Sequence, residues 1–550
     1  MAGLLCGFVL TSTRADDEAD FGPGHLLVSR VVYDSNPNNV VVGATLPPGC
    51  VSKCAKAVAD GTYPQVWNND SVDGSFGITS KIVLDQLTRS GHLISSLEVP
   101  NSSQRHIGPT SDQMVGSFSS KSEVALNLST DKRFVTFMGY LAPINALDVS
   151  NSNTPFVIDP TNPVPGQNYR VIAQVDRHGK FHFTKTNAYS GNNGRAAILN
   201  DQNGASLVYT AGNAGNGGNP QPNGIIVGGG AQILTASTLP LNSQIDPGLP
   251  TPVGSFNITQ VPPNTKPDKI GKDTNFRGLT IFNNVVYFTK GSGGNGIDTI
   301  YFIDTTGFDG SNRPLACPNG VGLPSPSAAL PTAPIVYDAT KLQTLGVFPY
   351  NMCILNGFNT VLANKTTDSF PFGVWFANAT TLYVADEGNG TNTFSGGIYT
   401  AAAAQTKAGL QKWVFDPVKN QWTLAYVLTA GLDLGVPYTV NDYPTGNNPA
   451  TGLPWSPATD GLRNLTGRVN RDGTVTIWAI TSTVSGNGDQ GADPNKLVMI
   501  KDDLAATTLP AAESFTTLRT ARFAEVLRGV SFTPGTGVPP HHDDDDDDDH

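Results

Sequence analysis

Arg277-Gly-Leu-Thr-Ile-Phe-Asn-Asn-Val-Val-Tyr-Phe-Thr289 reads as two short strands about an Asn283-Asn284 turn. Asn favours tight turns, and β-branched and aromatic residues flank it on both sides. The same arrangement recurs along the chain. Glu123 to Ser129 and Arg133 to Tyr140 flank Thr130-Asp131-Lys132, and Arg195 to Asn200 and Ser206 to Gly212 flank Asp201 to Gly204. Phe372 to Ala377 and Thr381 to Asp386 flank Asn378 to Thr380, and Leu462 to Arg468 and Thr474 to Ala479 flank Arg471-Asp472-Gly473. A sixth copy, Arg528-Gly-Val-Ser-Phe-Thr533, stands without its second strand.

Two further strand-like runs follow each complete copy: Tyr169 to Asp176 and Lys180 to Lys185, Gly224 to Leu234 and Val253 to Thr259, Thr299 to Asp304 and Lys341 to Phe348, Leu410 to Asp416 and Gln421 to Leu428, and Lys496 to Lys501 and Ser514 to Phe523. Four strands per unit, spaced roughly 70 to 95 residues apart, are the signature of propeller blades with long insertions. The Arg528 copy lacks three strands, and the N-terminus offers three: His25 to Asp34, Ile78 to Leu87 and Gly91 to Val99. A ring must close, because an open edge exposes unpaired backbone groups. The expected fold is therefore an all-β, six-bladed β-propeller over residues 20–535, closed by pairing the C-terminal strand with N-terminal strands. Two tandem β-sandwiches are the alternative, but a sandwich explains neither the shared pattern nor the matching leftover strands.

Composition agrees. Gly and Pro number 59 and 40 of 550 residues and charged residues are only 14%, which excludes coiled coils and helical solenoids. The formal net charge is −11, and seven of those charges form the run Asp543 to Asp549. The rest is close to neutral without a basic stripe, so a nucleic-acid partner is not expected. No segment has the roughly 18 apolar residues of a membrane span, and a monomer is expected. Residues 536–550, ending in the His/Asp run, read as a solvated, self-repelling tail.

Residues 1–15, an apolar run closing on small residues before Asp16-Asp17-Glu18, read as a secretory signal peptide, with a buried first strand as the other reading. Removal of Cys6 with that segment leaves four cysteines, for which the expected pairing is Cys50 with Cys54 and Cys317 with Cys353. Eight Asn-X-Ser/Thr sequons fit a secreted, extracellular or cell-wall location. Asn69, Asn101, Asn257, Asn364, Asn378 and Asn389 are the expected glycan acceptors, whereas Asn127 and Asn464 fall within inner strands.

Val83-Leu-Asp-Gln-Leu-Thr88, Leu126-Asn-Leu-Ser-Thr-Asp-Lys-Arg-Phe134 and Asn187-Ala-Tyr-Ser-Gly-Asn-Asn-Gly-Arg195 resemble segments of an uncharacterised family of secreted, propeller-like proteins. That resemblance implies the fold and export and carries no catalytic residues. A six-bladed secreted ring also has a distant, fold-level similarity to lactonase-type and NHL-type propellers, which include calcium-dependent hydrolases and binding modules.

In a propeller the first strand of each blade lines the central channel. Glu123, Arg195, Arg277, Phe372, Arg463 and Arg528 open those strands here. Four guanidiniums at one mouth repel one another unless anions or carboxylates sit among them, and the planar donor fork of Arg suits carboxylate, sulfate or phosphate. One reading is a pocket for an extracellular anionic small molecule or acidic glycan, with Arg195, Arg277, Arg463, Arg528 and Glu123 as ligand-binding residues. The other is a set of locks, each Arg bonded to a neighbouring blade. A channel-located hydrolase, lactonase-like or phosphoesterase-like, is the functional alternative. Calcium would be its cofactor, with Glu123, Asn193, Asn464 and Asp386 as oxygen donors; the binding reading needs no cofactor. His182 is a further candidate base. No nucleophile elbow, zinc-protease helix or phosphate loop is present.

Overall fold

A computed structural model describes residues 20–109, 111–118, 123–155, 157–213, 230–237, 254–258, 261, 275–291, 294–304, 306–307, 314–331, 350–363 and 368–538. The signal-peptide segment, the His/Asp run and Asn364 lie outside these residues.

Six four-stranded antiparallel units follow one another. Blade I runs from the inside outward as Glu525–Phe532, Leu26–Val32, Thr79–Leu87 and Leu93–Glu98. Blade II is Asn127–Leu128, Val135–Tyr140, Arg170–Val175 and Phe181–Thr186, and blade III is Gly194–Asn200, Leu207–Gly212, Ala231–Thr235 and Gly254–Ile258. Blade IV is Gly278–Phe282, Val285–Lys290, Thr299–Ile303 and Tyr350–Leu355, and blade V is Pro371–Asn378, Thr381–Asp386, Gly409–Asp416 and Gln421–Leu428. Blade VI is Ala458–Val469, Thr474–Val484, Lys496–Asp503 and Thr516–Thr520.

The ring closes as the leftover strands required. Leu26 pairs with Phe532 and Val32 with Glu525, antiparallel, while the other edge of Leu26–Val32 takes Thr79–Leu87. One strand differs from expectation. The outer strand of blade IV is Tyr350–Leu355, paired with Thr299–Ile303 through Tyr301 and Ile354; the run Lys341 to Phe348 lies outside the described residues. The outer strands of blades III and IV also pair with each other, in parallel, at Asn257 and Tyr350.

Blades bury both faces against their neighbours, so the middle strands are buried throughout: Val135–Tyr140, Val285–Lys290 and Thr381–Asp386 carry no exposed residue. The outer strand Leu93–Glu98 carries no buried residue. Aromatic rings fill the gaps between blades. Phe282 of blade IV stacks on Phe376 of blade V at 4.6 Å, and Trp478 of blade VI meets Phe532 of blade I edge-on at 5.5 Å.

Near the axis the inner strands come too close for a side chain. A Cβ at Gly373 would sit 2.6 Å from the Arg463 carbonyl oxygen of blade VI, and one at Gly529 would sit 2.5 Å from the Leu126 amide nitrogen. This is why a glycine follows Phe372 and Arg528. Both cysteine pairs are disulfides as expected.

Two sequons are corrected. Asn69 and Asn101 are fully buried, and their amide nitrogens donate to the carbonyls of Ala59 and Val99 at 2.9 and 2.8 Å. A glycan on either would break those bonds. Asn389 is exposed and Asn378 partly so, and the Asn257 side chain lies outside the description. Thr536, the first residue of the segment read as tail, is tied down by the Gly24 amide, which donates to its Oγ1 at 2.8 Å. No helix among the described residues is long and apolar enough to cross a membrane.

Candidate anion site at the arginine end of the channel

The four arginines stand on four blades, Arg195 at the start of its inner strand, Arg277 just ahead of its own, and Arg463 and Arg528 within theirs, and each reaches a neighbour. Arg195 of blade III donates through Nη1 to the Phe276 carbonyl at 2.8 Å and to Asn275 Oδ1. Arg277 Nε of blade IV lies 3.6 Å from Glu387 Oε1, and Arg463 Nε of blade VI lies 3.2 Å from Oε2 of the same carboxylate. Arg528 of blade I donates through Nη2 to the carbonyls of Phe118 and Ser117. Where four blades carry Arg and blade II carries Glu123, blade V carries Phe372, and the Arg463 guanidinium lies 5.8 Å from its ring centroid.

Glu123 closes the circle. Its Oε1 accepts from the Ser117 amide and its Oε2 from the Tyr140 hydroxyl at 2.6 Å. Asn193 Nδ2 also donates to the Tyr140 oxygen, at 3.2 Å, and the fully buried Arg170 covers that ring at 5.3 Å. Burial first, then the Glu123 charge, pushes the Tyr140 hydroxyl well above its ordinary range.

These groups form one electrostatic cluster. Arg195 feels Arg277, Glu387 and Glu123; Arg277 feels Arg463; Arg528 feels Glu123 and Arg463. Glu123 and Glu387 stand among the four guanidiniums, with Asp298 acting on Arg277 and Asp489 on Arg528. Of the nearby acids, Asp298 is bound by Lys290 Nζ at 2.6 Å, and burial pushes Asp460 up to about 7. Desolvation holds Arg195 well below its usual range and brings Arg528 to about 10. A guanidinium keeps its proton regardless, so these groups are charged cations held out of water. Arg195 Nε and Arg528 Nε and Nη1 are buried with no hydrogen-bond partner among the described residues, and Arg195 and Arg528 are only 5% and 4% exposed.

The five residues named from sequence therefore belong to one cluster, and among the described residues the lock contacts occupy only part of the donor forks of Arg195 and Arg528. Glu387 was not legible, because it directly follows a second strand, outside the repeated positions. Tyr140 read only as a strand residue. The oxygens offered for calcium have other work: Asp386 Oδ2 accepts from Ser369, Phe370 and Gln411, and Asn464 Oδ1 accepts from the Val530 amide at 2.6 Å. His182 stands on the outermost strand of blade II, edge-on to Phe134 at 6.5 Å, away from the channel.

No family model and no curated protein matches the chain, so the family resemblance rests on the three segments quoted above. Similarities to solved structures are loose. The NanB sialidase of Streptococcus pneumoniae aligns with 76% of this chain and 62% of its own, at 7% identity and a TM-score of 0.32; the chain thus spans about three fifths of that protein. The hemagglutinin-neuraminidase ectodomain of parainfluenza virus 5 aligns over 90% and 89%, at 9% identity and a TM-score of 0.26. The apocarotenoid oxygenase of Synechocystis aligns over 83% and 59%, at 11% identity and a TM-score of 0.20. None of these carries an argument about activity, and the fold stands on its own sheet topology: a six-bladed β-propeller.

Proposed function

We propose that this protein is an extracellular binding module whose channel takes an anionic group, with an acidic glycan as the ligand class. One observation carries the reading: among the described residues, three N–H groups of the buried Arg195 and Arg528 lack a hydrogen-bond partner, within a cluster of four guanidiniums around Glu123 and Glu387. A buried donor left unbonded costs about 1–3 kcal/mol, more when charged, and a carboxylate oxygen supplies both the missing bond and a negative charge. The test replaces Arg195 and Arg528, singly, by Gln. Loss of uronate binding with an unchanged melting temperature supports a pocket; a collapsed melting temperature with binding retained assigns the arginines to ring closure alone.

The hydrolytic reading keeps one observation, the Glu123–Tyr140 hydrogen bond beside Arg528. It requires turnover of a lactone or phosphoester substrate that disappears in Glu123→Gln.

A further inference from the structure

The inner strands end around a second cavity. Its lining begins two to three residues beyond the arginine positions on the same strands, roughly 7–10 Å along them, toward the other mouth of the channel. Its volume is about 760 Å³, within the range of small-molecule sites. All six blades contribute to it. Its floor is apolar: Leu126, Ile198, Ile281, Val374, Leu465 and Phe532. Among the described residues, Lys132 and Arg468 are the charged residues of its lining, and no carboxylate lines it.

Both cations are exposed, and neither has an ion pair among the described residues. The nearest acids are engaged elsewhere. Asp131 accepts from Ser129 at 2.7 Å and pairs with Arg133, and Asp201 accepts from Thr130 at 3.0 Å. Trp375 serves as wall. A Cβ on Gly467 would meet its ring carbons at 2.7 Å, so the indole lies flat on the blade VI backbone, with Tyr383 beside it at 6.1 Å. An apolar floor with free cations and amide groups at its rim (Asn283 and Asn284) suits a molecule apolar at one end and acidic at the other.

We infer that this cavity binds a small amphipathic acid, a carboxylate carried on an apolar ring or short chain. The site is separate from the arginine cluster and stands without it. The floor takes the apolar body, and Lys132 and Arg468 take the carboxylate.

The experiment is titration calorimetry of the full chain with 2-naphthoate, using 2-naphthalenemethanol as the uncharged analogue. Naphthoate is expected to saturate one site. Lys132→Gln with Arg468→Gln should weaken it about tenfold and leave the alcohol unchanged. Thr466→Phe, which fills the cavity, should abolish both; should that variant misfold, Thr280→Phe on blade IV fills the same space. Arg528→Gln should leave naphthoate binding intact, which separates this site from the proposed glycan site. Absence of saturable binding at millimolar probe, retention of binding in the filled variant, or its loss in Arg528→Gln would each overturn the inference.

Discussion

Arg463 of blade VI holds Glu387 of blade V at 3.2 Å, Nε to Oε2, across a blade boundary and deep at one end of the channel. Arg277 of blade IV reaches the other oxygen of the same carboxylate. Glu387 is therefore the hub through which three blades meet, and removing it leaves two buried cations short of a counter-charge. Glu387→Gln should cost about 3 kcal/mol, seen as a lower urea midpoint. A change below about 0.5 kcal/mol would mean the carboxylate is not the hub.

Ring closure rests on close approach as well as charge. A side chain at Gly529 has no room against Leu126 and the Val124 carbonyl, 2.5 and 2.7 Å from a new Cβ. Gly529→Ala should therefore loosen the closing blade. Hydrogen exchange is expected to accelerate together in Leu26–Val32 and Glu525–Phe532, which pair along their length. Acceleration confined to one of these strands would contradict closure through this pairing.

The two disulfides should differ in weight. Cys317–Cys353 closes a span of 36 residues and Cys50–Cys54 a span of 4. On chain-entropy grounds their loss costs about 4 and about 2 kcal/mol respectively. Paired Cys→Ser variants compared by equilibrium unfolding check the order.

Stability should fall as the solution turns from mildly acidic to neutral. Burial raises Asp386, Asp460 and Asp493 to about 7 and Asp148 to about 8. A carboxyl raised above its unfolded value of about 3.9 binds more protons in the folded state. Its contribution to stability is therefore greatest at low pH and is lost between about pH 4 and its folded value. Asp131, Asp416 and Asp472 are shifted downward and act below that window. The melting temperature at pH 5.5 is expected to exceed that at pH 8, and Asp460→Asn should narrow the difference. A higher melting temperature at pH 8 would contradict this.

Much of the fold was legible because blades impose the same demand at each inner strand: an apolar run, a turn, and a glycine where the axis is crowded, as at Gly373 and Gly529. Closure followed from counting strands. The outer strand of blade IV was misplaced because Leu345-Gly-Val-Phe348 and Tyr350-Asn-Met-Cys-Ile-Leu355 are both short apolar runs. Only pairing with Thr299–Ile303 picks the second. The arginines were legible by position, and Glu387 and Tyr140 were not. Nothing local marks a residue whose role is set by neighbours on another blade, and the same holds for Asn69 and Asn101, whose sequons say nothing of burial.

The most direct measurement of the central claim is a thermal-shift titration with galacturonate oligosaccharides against neutral oligosaccharides of equal length. A ligand of the folded state at 100 times its Kd adds about 2.7 kcal/mol. The account predicts stabilisation by the acidic series alone, abolished in Arg528→Gln. Equal shifts with both series, or none with either, would contradict it.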